Sequence, residues 1–538
     1  MAVVRNGGLA ARLREVIALD PAAPAIEFAE RWWSWGEVAA VAEGVAAAVP
    51  EPGAPIGVIL RNTPEHVGAL LGVLLAEGCA VTVNPGLGDE RTRADLAAQD
   101  LTGIVGTAAD LARFAPAVDC AVRVTLDSGA LGAAGAVPAS GRAGGDGSAG
   151  GVPLGEDAAA AEGNGVSPSP WTTVGGVSVT RGEGPVGEAR PGVAVRMLTS
   201  GTTGPPKRVD LGAELLLRTM AGAKHYEAGR AEAAGLRRGV AVVNAPLVHL
   251  GGLFRVVQCV LDGRSFVLLP GFEVTSWAAA VRRHRPRTAS LVPAALRMVL
   301  DSDLTRADLA SLKSVMSGTA PLDPADAEAF TARFGVPVLT SYAATEFGGG
   351  VAGWNLADHR EFGARKRGSV GRAHAGCGLR VVAGDGTVLP PGETGLLEVR
   401  PAQFGPGAAW VRTTDLARLD EDGFLWIVGR ADQAIIRGGF KVHPDQVRAV
   451  LERHPSVRAA AVLGVPDPRL GEVPVAVVET RPGHPPDPVA LLAHAADHLA
   501  RYELPARVEF VTALPRTASR KVDLPATRAL LTGPEERK

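Results

Sequence analysis

The stretch Leu198–Lys207, LTSGTTGPPK, holds two glycines, four hydroxyl side chains, two prolines and a lysine in ten residues. Glycines let the backbone approach a ligand closely, and hydroxyl groups and an ammonium group suit phosphate oxygens. A Walker loop needs four residues between its glycines and a lysine directly after the second. Here only two residues separate Gly201 from Gly204, and Lys207 follows two prolines. The stretch predicts a phosphate loop of another kind, with a flexible Gly/Ser/Thr turn as the alternative.

The composition of the chain is that of a large protein with a substantial core. It has 538 residues, of which 46% are hydrophobic and 21% charged, and a formal net charge of -2. These values predict two or more domains, and no basic excess indicates nucleic acid. The cysteines are scattered singly, which argues against a metal cluster and a disulfide framework. They are Cys79, Cys120, Cys259 and Cys377.

Neither a membrane span nor a signal peptide is evident. The most apolar run, VGALLGVLLA from Val67, stops at Glu77 and is too short to cross a bilayer. The first residues, MAVVRNGGLAARLREV, soon include charged side chains and lack the apolar centre of a signal peptide. We therefore expect no membrane span and a cytoplasmic location.

Helical and strand patterns alternate along most of the chain. Residues 36–49 and 64–78 have helical patterns, and PIGVIL (55–60) and CAVTVNP (79–85) have the pattern of buried strands. This spacing predicts βαβ units and a parallel sheet. VAVRML (193–198) predicts a strand and residues 212–229 a helix, so we expect the glycine-rich loop where a strand passes to a helix.

Two other regions differ from this alternation. Residues 128–190 are rich in Gly, Ala, Ser and Pro, which predicts a mostly disordered insertion. Beyond Gly368, short strands with turn residues predict a small β-rich subdomain, and about the last hundred residues are enough for a separate α+β domain.

Six further motifs follow the loop in a fixed order. They are NAPLVHLGG from Asn244, MSGTAPL from Met316, SYAATE from Ser341, GSVGRA from Gly368, RTTDLARLDEDGFLWIVGRADQAIIRGGFKV from Arg412 and LPRTASRKVD from Leu514. With the loop, they resemble the adenylate-forming superfamily of acyl-CoA synthetases, adenylation domains and firefly luciferase, and most closely the acyl-CoA ligases. The resemblance covers the chain outside the insertion.

The resemblance implies an α/β fold with two domains. Residues 1–430 would form a large N-terminal domain of parallel-sheet α/β subdomains plus a small β-rich subdomain. Residues 431–432 would be a hinge, and residues 433–538 a small mobile α+β C-terminal domain. In such enzymes a carboxylate attacks the α-phosphorus of ATP, giving an acyl-adenylate and pyrophosphate. The thiol of coenzyme A then attacks the acyl carbon, and AMP leaves.

The resemblance also implies roles for single residues around ATP/AMP and Mg²⁺. The loop would hold the β- and γ-phosphates through Thr199, Ser200, Gly201, Thr202, Thr203, Gly204 and Lys207. Tyr342 would stack on adenine, with Gly318, Thr319 and Ala320 on the other side. Thr345 would contact the α-phosphate and Glu346 would hold Mg²⁺. Asp415 would bind the ribose hydroxyls, and Arg430 the ribose or a phosphate.

The remaining roles belong to the acyl group, the thiol and the domain motion. Lys521 would stabilise the transition state of adenylation, and His249 would lie near the acyl and thiol pockets. Asp432 would act in the hinge, and Gly438 and Gly439 would line a tunnel for pantetheine. Without the family pattern, each would be read as an ordinary surface, turn or packing residue.

Three positions depart from the family pattern. Ala343, Thr414 and Arg520 each replace a glycine. Arg520 directly precedes Lys521, so it puts adenylation in doubt if that glycine needs a left-handed backbone. We therefore predict an AMP-forming acyl-CoA ligase, with two alternatives. One is an enzyme that only forms the thioester from a preformed acyl-adenylate, and the other is a ligase that loads an acyl carrier protein.

The carboxylic acid substrate is read from three stretches that should form its pocket. Residues 244–258, 317–319 and 341–350 are rich in small and apolar residues, and we expect no cation in them to face a second carboxylate. They predict a bulky or long apolar acid. No aspartate lies between Asn244 and Gly252, where amino-acid-activating relatives carry one, so an α-amino acid is not expected.

Overall fold

The computed structural model describes residues 8–126, 172–174, 176–198, 207–223, 235–438, 440–485, 487–517 and 520–531. The helices and strands of the first 300 residues alternate over residues 35–126 and again over residues 237–300, as predicted. In chain order these elements are α1 (Leu9–Ile17), β1 (Pro24–Phe28), β2 (Arg31–Ser34), α2 (Trp35–Ala46), β3 (Pro55–Ile59), α3 (Pro64–Leu75), β4 (Cys79–Val83), α4 (Asp89–Ala97), β5 (Gly103–Thr107), α5 (Ala108–Phe114), β6 (Val122–Leu126), β7 (Thr172–Val174), β8 (Val177–Arg181), β9 (Val193–Leu198), β10 (Arg208–Gly212), α6 (Ala213–Ala223), β11 (Arg237–Val243), α7 (Leu250–Leu261), β12 (Arg264–Leu268), α8 (Val274–His284), β13 (Thr288–Ser290) and α9 (Pro293–Leu300).

The largest sheet has a parallel centre and antiparallel edges. Its strand order is β10-β9-β4-β3-β5-β6-β8-β7, and β9, β4, β3, β5 and β6 run parallel. The helix α3 is buried along its whole length, which explains its nearly continuous apolar sequence. Such a helix needs apolar neighbours on every side, and α3 packs against α1, α2 and the strands β3 and β4.

Two predictions for this region are wrong. Within residues 128–190, the strands β7 and β8 form a hairpin that continues the sheet beside β6. Valines alternate with polar residues along β8, and Val177 is buried, with 1% of its surface exposed. The predicted insertion is therefore shorter at its C-terminal end, and residues 128–171 lie outside the described part. The glycine-rich loop joins the antiparallel strands β9 and β10, so it does not lead directly into a helix.

A second and a third sheet complete the α/β part. The second has the order β11-β12-β1-β2, with β1, β11 and β12 parallel. The third begins with β13, and its order is β13-β14-β15-β16-β17. The remaining elements up to residue 430 are β14 (Ser314–Ser317), α10 (Pro324–Phe334), β15 (Val338–Ala344), β16 (Gly349–Gly353), α11 (Leu356–Phe362), β17 (Arg372–Ala373), β18 (Gly378–Val382), β19 (Thr394–Arg400), β20 (Val411–Leu419) and β21 (Leu425–Arg430).

The predicted β-rich subdomain is the antiparallel sheet β18-β19-β20-β21. A separate sheet follows it, with the order β23-β22-β25-β24 and with β26 beside β25. Its elements are β22 (Ile435–Arg437), β23 (Phe440–Val442), α12 (Pro444–Leu451), β24 (Val457–Asp467), β25 (Gly471–Thr480), α13 (Pro488–Ala496), β26 (Arg507–Val511) and α14 (Leu524–Leu531). We call residues 8–430 the N-terminal segment and residues 435–531 the C-terminal segment.

The fold is thus the predicted α/β architecture, with a small α+β C-terminal segment. The C-terminal segment has its own hydrophobic core, centred on α12, α13 and the strands β24 and β25. The predicted hinge at 431–432 lies between β21 and β22. In the described parts of the chain, no helix has the length and apolar character needed to cross a membrane.

Candidate active site

A cavity of about 1440 Å³ lies where the N-terminal and C-terminal segments meet. Ligand sites favour such junctions. Nine of the predicted site residues line this cavity. They are His249, Thr319, Ala320, Tyr342, Thr345, Glu346, Asp415, Arg430 and Lys521.

The sheet β13–β17 positions the residues of two motifs. β14 and β15 are parallel neighbours, so Thr319 and Tyr342 emerge at the same edge of the sheet. Gly318, directly after β14, allows the chain to pass close to β15, because a Cβ there would lie only 2.9 Å from Oγ of Ser341. Thr319 follows in a left-handed conformation with φ 70°, which turns the chain across the cavity.

Tyr342 is tied to the β-rich subdomain through its hydroxyl group. That hydroxyl donates a hydrogen bond to Oδ2 of Asp415. Burial raises the pKa of Tyr342, and the Asp415 charge raises it further, so the phenol keeps its proton. Burial also raises the pKa of Asp415, while the Tyr342 hydrogen bond and Arg430 lower it.

Arg430 connects the candidate nucleotide residues with the candidate hinge. It pairs with Asp415 across β20 and β21, and its Nε lies 3.9 Å from Oδ1 of Asp415. Its guanidinium group is bidentate on Asp432, with distances of 2.9 and 2.7 Å. Nη2 also donates to Oγ1 of Thr414 at 2.7 Å. The threonine that replaces the family glycine therefore supplies an acceptor for Arg430.

Lys521 reaches the cavity from the C-terminal segment. Burial lowers its pKa from the usual 10.5, the charge of Glu346 opposes this shift, and Arg430 adds to it. His249 lies at the N-terminus of α7, and burial followed by the charge of Lys521 lowers its pKa to about 4. The imidazole is therefore neutral at pH 7, and its Nε2 is buried without a hydrogen-bond partner in the described structure.

The residues around Glu346 fit a hard cation only with help from a substrate. Within the described residues, no group of three His, Cys, Asp or Glu side chains could hold a metal ion. Glu346 lines the cavity beside Thr345 and offers its carboxylate oxygens there. A Mg²⁺ ion commonly binds one or two carboxylates and takes its other ligands from phosphates and water.

Other candidates lie away from the cavity or outside the described residues. Among the described candidates, Lys207, Gly318, Asp432 and Gly438 do not line it. Gly438 has a φ of 56°, and its amide donates to the carbonyl of Leu470 at 2.7 Å, within the C-terminal segment. The loop residues Thr199, Ser200, Gly201, Thr202, Thr203 and Gly204, together with Gly439, lie outside the described residues.

The sequence did not indicate a buried ion cluster at the junction of the segments. Arg297 of α9 donates to Asp326 at 2.6 Å and to Glu452 of the C-terminal segment at 3.0 Å. Glu452 also accepts from Arg448 at 2.9 Å. A lone arginine in the apolar helix PAALRMVL was the only available signal.

The cavity also contains groups from outside the three predicted pocket stretches. The expectation that no cation would face the acid is incomplete, because Arg218 lines the same cavity. The imidazole of His374 lines it as well. Arg218 is paired with Glu214, one turn earlier on α6. The apolar part of the wall includes Leu250 and Phe254 of α7 beside Gly349 and Gly350.

The fold and this cavity define the class of enzymes that bind adenine nucleotides between a large and a small segment. Comparison with protein families agrees with that class. Residues 13–407 match the model of the AMP-binding enzymes, and residues 446–521 match the model of their C-terminal domain. The chain belongs to the AMP-binding enzyme family.

Several curated relatives are ligases. The chain is 33% identical over 344 residues to the sulfoacetate–CoA ligase of Cupriavidus necator, covering 61% of this chain and 65% of that protein. It is 33% identical over 344 residues to the 2-succinylbenzoate–CoA ligase of Bacillus pumilus, covering 61% and 67%. It is 32% identical over 343 residues to the fatty acid–[acyl-carrier-protein] ligase ScoC of Streptomyces coeruleorubidus, covering 61% and 65%. The chain thus spans about two thirds of the length of these relatives.

A solved structure with the same architecture is that of MatB from Rhodopseudomonas palustris with ATP bound. The TM-score is 0.76 at 23% identity, and the alignment covers 97% of this chain and 98% of the other. At this identity, the similarity establishes the fold.

Proposed function

We propose that this protein is an AMP-forming acyl-CoA ligase. The observation that carries the proposal is that Lys521, from the C-terminal segment, lines the same cavity as Glu346, Asp415 and Arg430. An ammonium group, a carboxylate and a ribose-binding pair at one junction are what adenylation of a carboxylic acid requires. The similarity to several CoA ligases supports the same reaction.

In the first half-reaction, an acid and ATP react to give an acyl-adenylate and pyrophosphate. Asp415 would accept from the ribose hydroxyls, while the Tyr342 hydroxyl holds its carboxylate in place. Protonated Lys521 would stabilise the negative charge that gathers where the carboxylate meets the α-phosphate. The predicted loop residues, from Thr199 to Lys207, would bind the departing phosphates. Glu346 would hold Mg²⁺, which neutralises charge on the phosphates when bound.

In the second half-reaction, the thiol of CoA attacks the acyl carbon and AMP leaves. Arg430 and Asp432 form a bidentate pair at the predicted hinge, where a rotation would withdraw Lys521. The same rotation would bring Gly438 and Gly439 towards the cavity to line the path of pantetheine. Neutral His249 would face the acyl carbon without adding charge.

Two alternatives remain, and each has a distinguishing property. An enzyme that forms only the thioester would have no use for Lys521, so its position in the cavity favours the full reaction. A ligase for an acyl carrier protein would use the same cavity, and similarity to ScoC supports it. Such an enzyme would accept acyl carrier protein in place of CoA.

The substrate proposed is a bulky or long acid with an apolar body. Leu250, Phe254, Gly349 and Gly350 line the same cavity, so part of its wall is apolar. Arg218 and His374 would then contact a polar end of the acid, if it has one. A reaction that consumes ATP and CoA favours the cytoplasm, where both are available.

The test is to follow pyrophosphate release from ATP and Mg²⁺ with a panel of fatty, aryl and polycyclic acids. The assay is run with CoA, with acyl carrier protein and with neither, and the thioester is identified by mass spectrometry. Acid-dependent pyrophosphate and acyl-CoA together would establish the ligase. If no acid gives pyrophosphate while synthetic acyl-adenylate and CoA give thioester, the thioester-only alternative replaces it.

A further inference from the structure

The residue before Lys521 has an unusual backbone conformation. Arg516 and Val522 form a β-bridge, and the amide of Thr517 donates to the carbonyl of Lys521 at 2.8 Å. The amide of Arg520 donates back to the carbonyl of Thr517 at 2.8 Å. This turn places Arg520 in the left-handed region, with φ 61°. Hairpins of this kind usually carry glycine at the left-handed position.

An arginine at this position costs free energy that a glycine would not, since its Cβ crowds the following carbonyl group. A strained residue persists only where the surrounding structure compensates for it. Contacts of the Arg520 side chain are therefore expected to offset the strain.

Those contacts cross to the N-terminal segment. Nη2 of Arg520 donates to the carbonyl oxygen of Phe272, and Nη1 donates to Sδ of Met298 at 3.2 Å. The guanidinium carbon also lies 5.7 Å from the centre of the Phe272 ring. Phe272 is buried and packs against Trp277 at 5.9 Å between ring centres, so it is a firm anchor.

We propose that Arg520 is a positioning residue that fastens the loop carrying Lys521 to Phe272 and Met298, and so favours the arrangement for adenylation over that for thioester formation. The inference rests on the proposed function for its kinetic consequence. The fastening exists only while the C-terminal segment sits in its present place, because a rotation about residues 431–432 would separate Arg520 from Phe272.

The first test measures the two half-reactions separately in three variants. Arg520→Gly removes the contacts and relieves the backbone strain, and Arg520→Lys keeps the charge with fewer donors. Arg528→Ala is the matched control, because Arg528 donates to the carbonyl of Gly464 at 2.7 Å wholly within the C-terminal segment.

Loss of hydrogen bonds from a charged group is expected to lower kcat for pyrophosphate release about ten- to a hundredfold in Arg520→Gly. The KM for the acid should change little. Thioester formation from synthetic acyl-adenylate should stay at the wild-type rate or rise. Arg520→Lys should recover part of the loss, and Arg528→Ala should match the wild type. Equal losses in both half-reactions of Arg520→Gly would overturn the proposal.

The second test needs no activity. Spin labels at the exposed positions Val388 and Val489 report the distance between the segments in the ligand-free protein, on a Cys377→Ser background. Arg520→Gly should broaden or shift the distance distribution, and Arg528→Ala should not. An unchanged distribution in Arg520→Gly would overturn the positioning role, whatever the activities. A shifted distribution in a protein that releases no pyrophosphate would support the fastening and contradict the proposed function.

Discussion

The hydroxyl of Tyr342, on β15, donates a hydrogen bond to the carboxylate of Asp415, on β20. This bond joins the α/β part of the N-terminal segment to the β-rich subdomain at the edge of the cavity. It fixes the direction of the carboxylate that we propose binds the ribose. It also favours the ionised form of Asp415, against the effect of burial.

Tyr342→Phe keeps the ring and removes this bond. We expect the KM for ATP to rise about tenfold, since a hydrogen bond to a charged group contributes about 1.5–3 kcal/mol. The pKa of Asp415 should rise further. On acidification, the variant should therefore lose activity at a higher pH than the wild type does. Initial rates across ATP concentration and pH measure both effects.

Tyr502→Phe is the control for this prediction. Tyr502 stacks on Phe440 with 4.7 Å between ring centres, away from the cavity lining. It should leave the KM for ATP and the pH profile unchanged. A Tyr342→Phe enzyme with wild-type values would show that the bond does not position Asp415 for the ribose.

Lys521 should act only in the first half-reaction, and only when protonated. Lys521→Ala is expected to slow pyrophosphate release about 10²–10³-fold, the usual cost of removing a group that stabilises transition-state charge. Thioester formation from a synthetic acyl-adenylate should continue. Burial lowers the pKa of Lys521 from 10.5. The rate of adenylation by the wild type should therefore decline as the pH rises, and at a lower pH than the one at which a free lysine loses its proton.

The measurement is the pH dependence of each half-reaction in the two proteins. The alkaline decline should be present for adenylation by the wild type and absent from its thioester step. A Lys521→Ala protein that adenylates at the wild-type rate would remove this residue from the mechanism.

The order of motifs was enough to predict the fold, and nine of the candidate site residues line one cavity. Each motif has a local requirement, such as a glycine or a carboxylate at fixed spacing, which a sequence displays directly. The strand β10 was missed because RVDLG has too few apolar residues to reveal its pairing with β9. The bond of Arg297 to Glu452 joins residues 155 positions apart, and nothing in the sequence identifies Glu452 as the partner of that arginine.

The buried imidazole of His66 on α3 should make the protein less stable in acid. Its Nδ1 lies 2.8 Å from Oγ1 of Thr63, and burial lowers its pKa from 6.5 to about 4. The unfolded chain therefore binds a proton that the native protein does not, between about pH 6.5 and pH 4. The free energy of unfolding should fall as pH decreases through that window, by up to about 3 kcal/mol from this residue.

Urea unfolding at pH 7 and pH 4.5 measures the effect in the wild type and in His66→Gln. The variant should lose part of the difference between the two pH values, even if it is less stable at both. His484→Gln is the control, because His484 is exposed. An equal pH dependence in His66→Gln and the wild type would contradict the assignment.

Arg297 should hold the two segments together through its pair of carboxylates. Its side chain is 18% exposed, and Glu452 is 6% exposed, so the pair is largely removed from water. Arg297→Met leaves Asp326 and Glu452 facing each other with one cation fewer, and breaking a buried pair in this way costs about 3–5 kcal/mol.

Arg282→Met is the control, because the Arg282–Asp308 pair at 3.0 Å lies near the surface within the N-terminal segment. It should change the free energy of unfolding little, because exposed ion pairs contribute little to stability. Urea unfolding gives both values, and limited proteolysis at residues 431–434 reports whether the segments separate. Equal stability losses in the two variants, with no added cleavage in Arg297→Met, would show that the cluster does not fasten the segments.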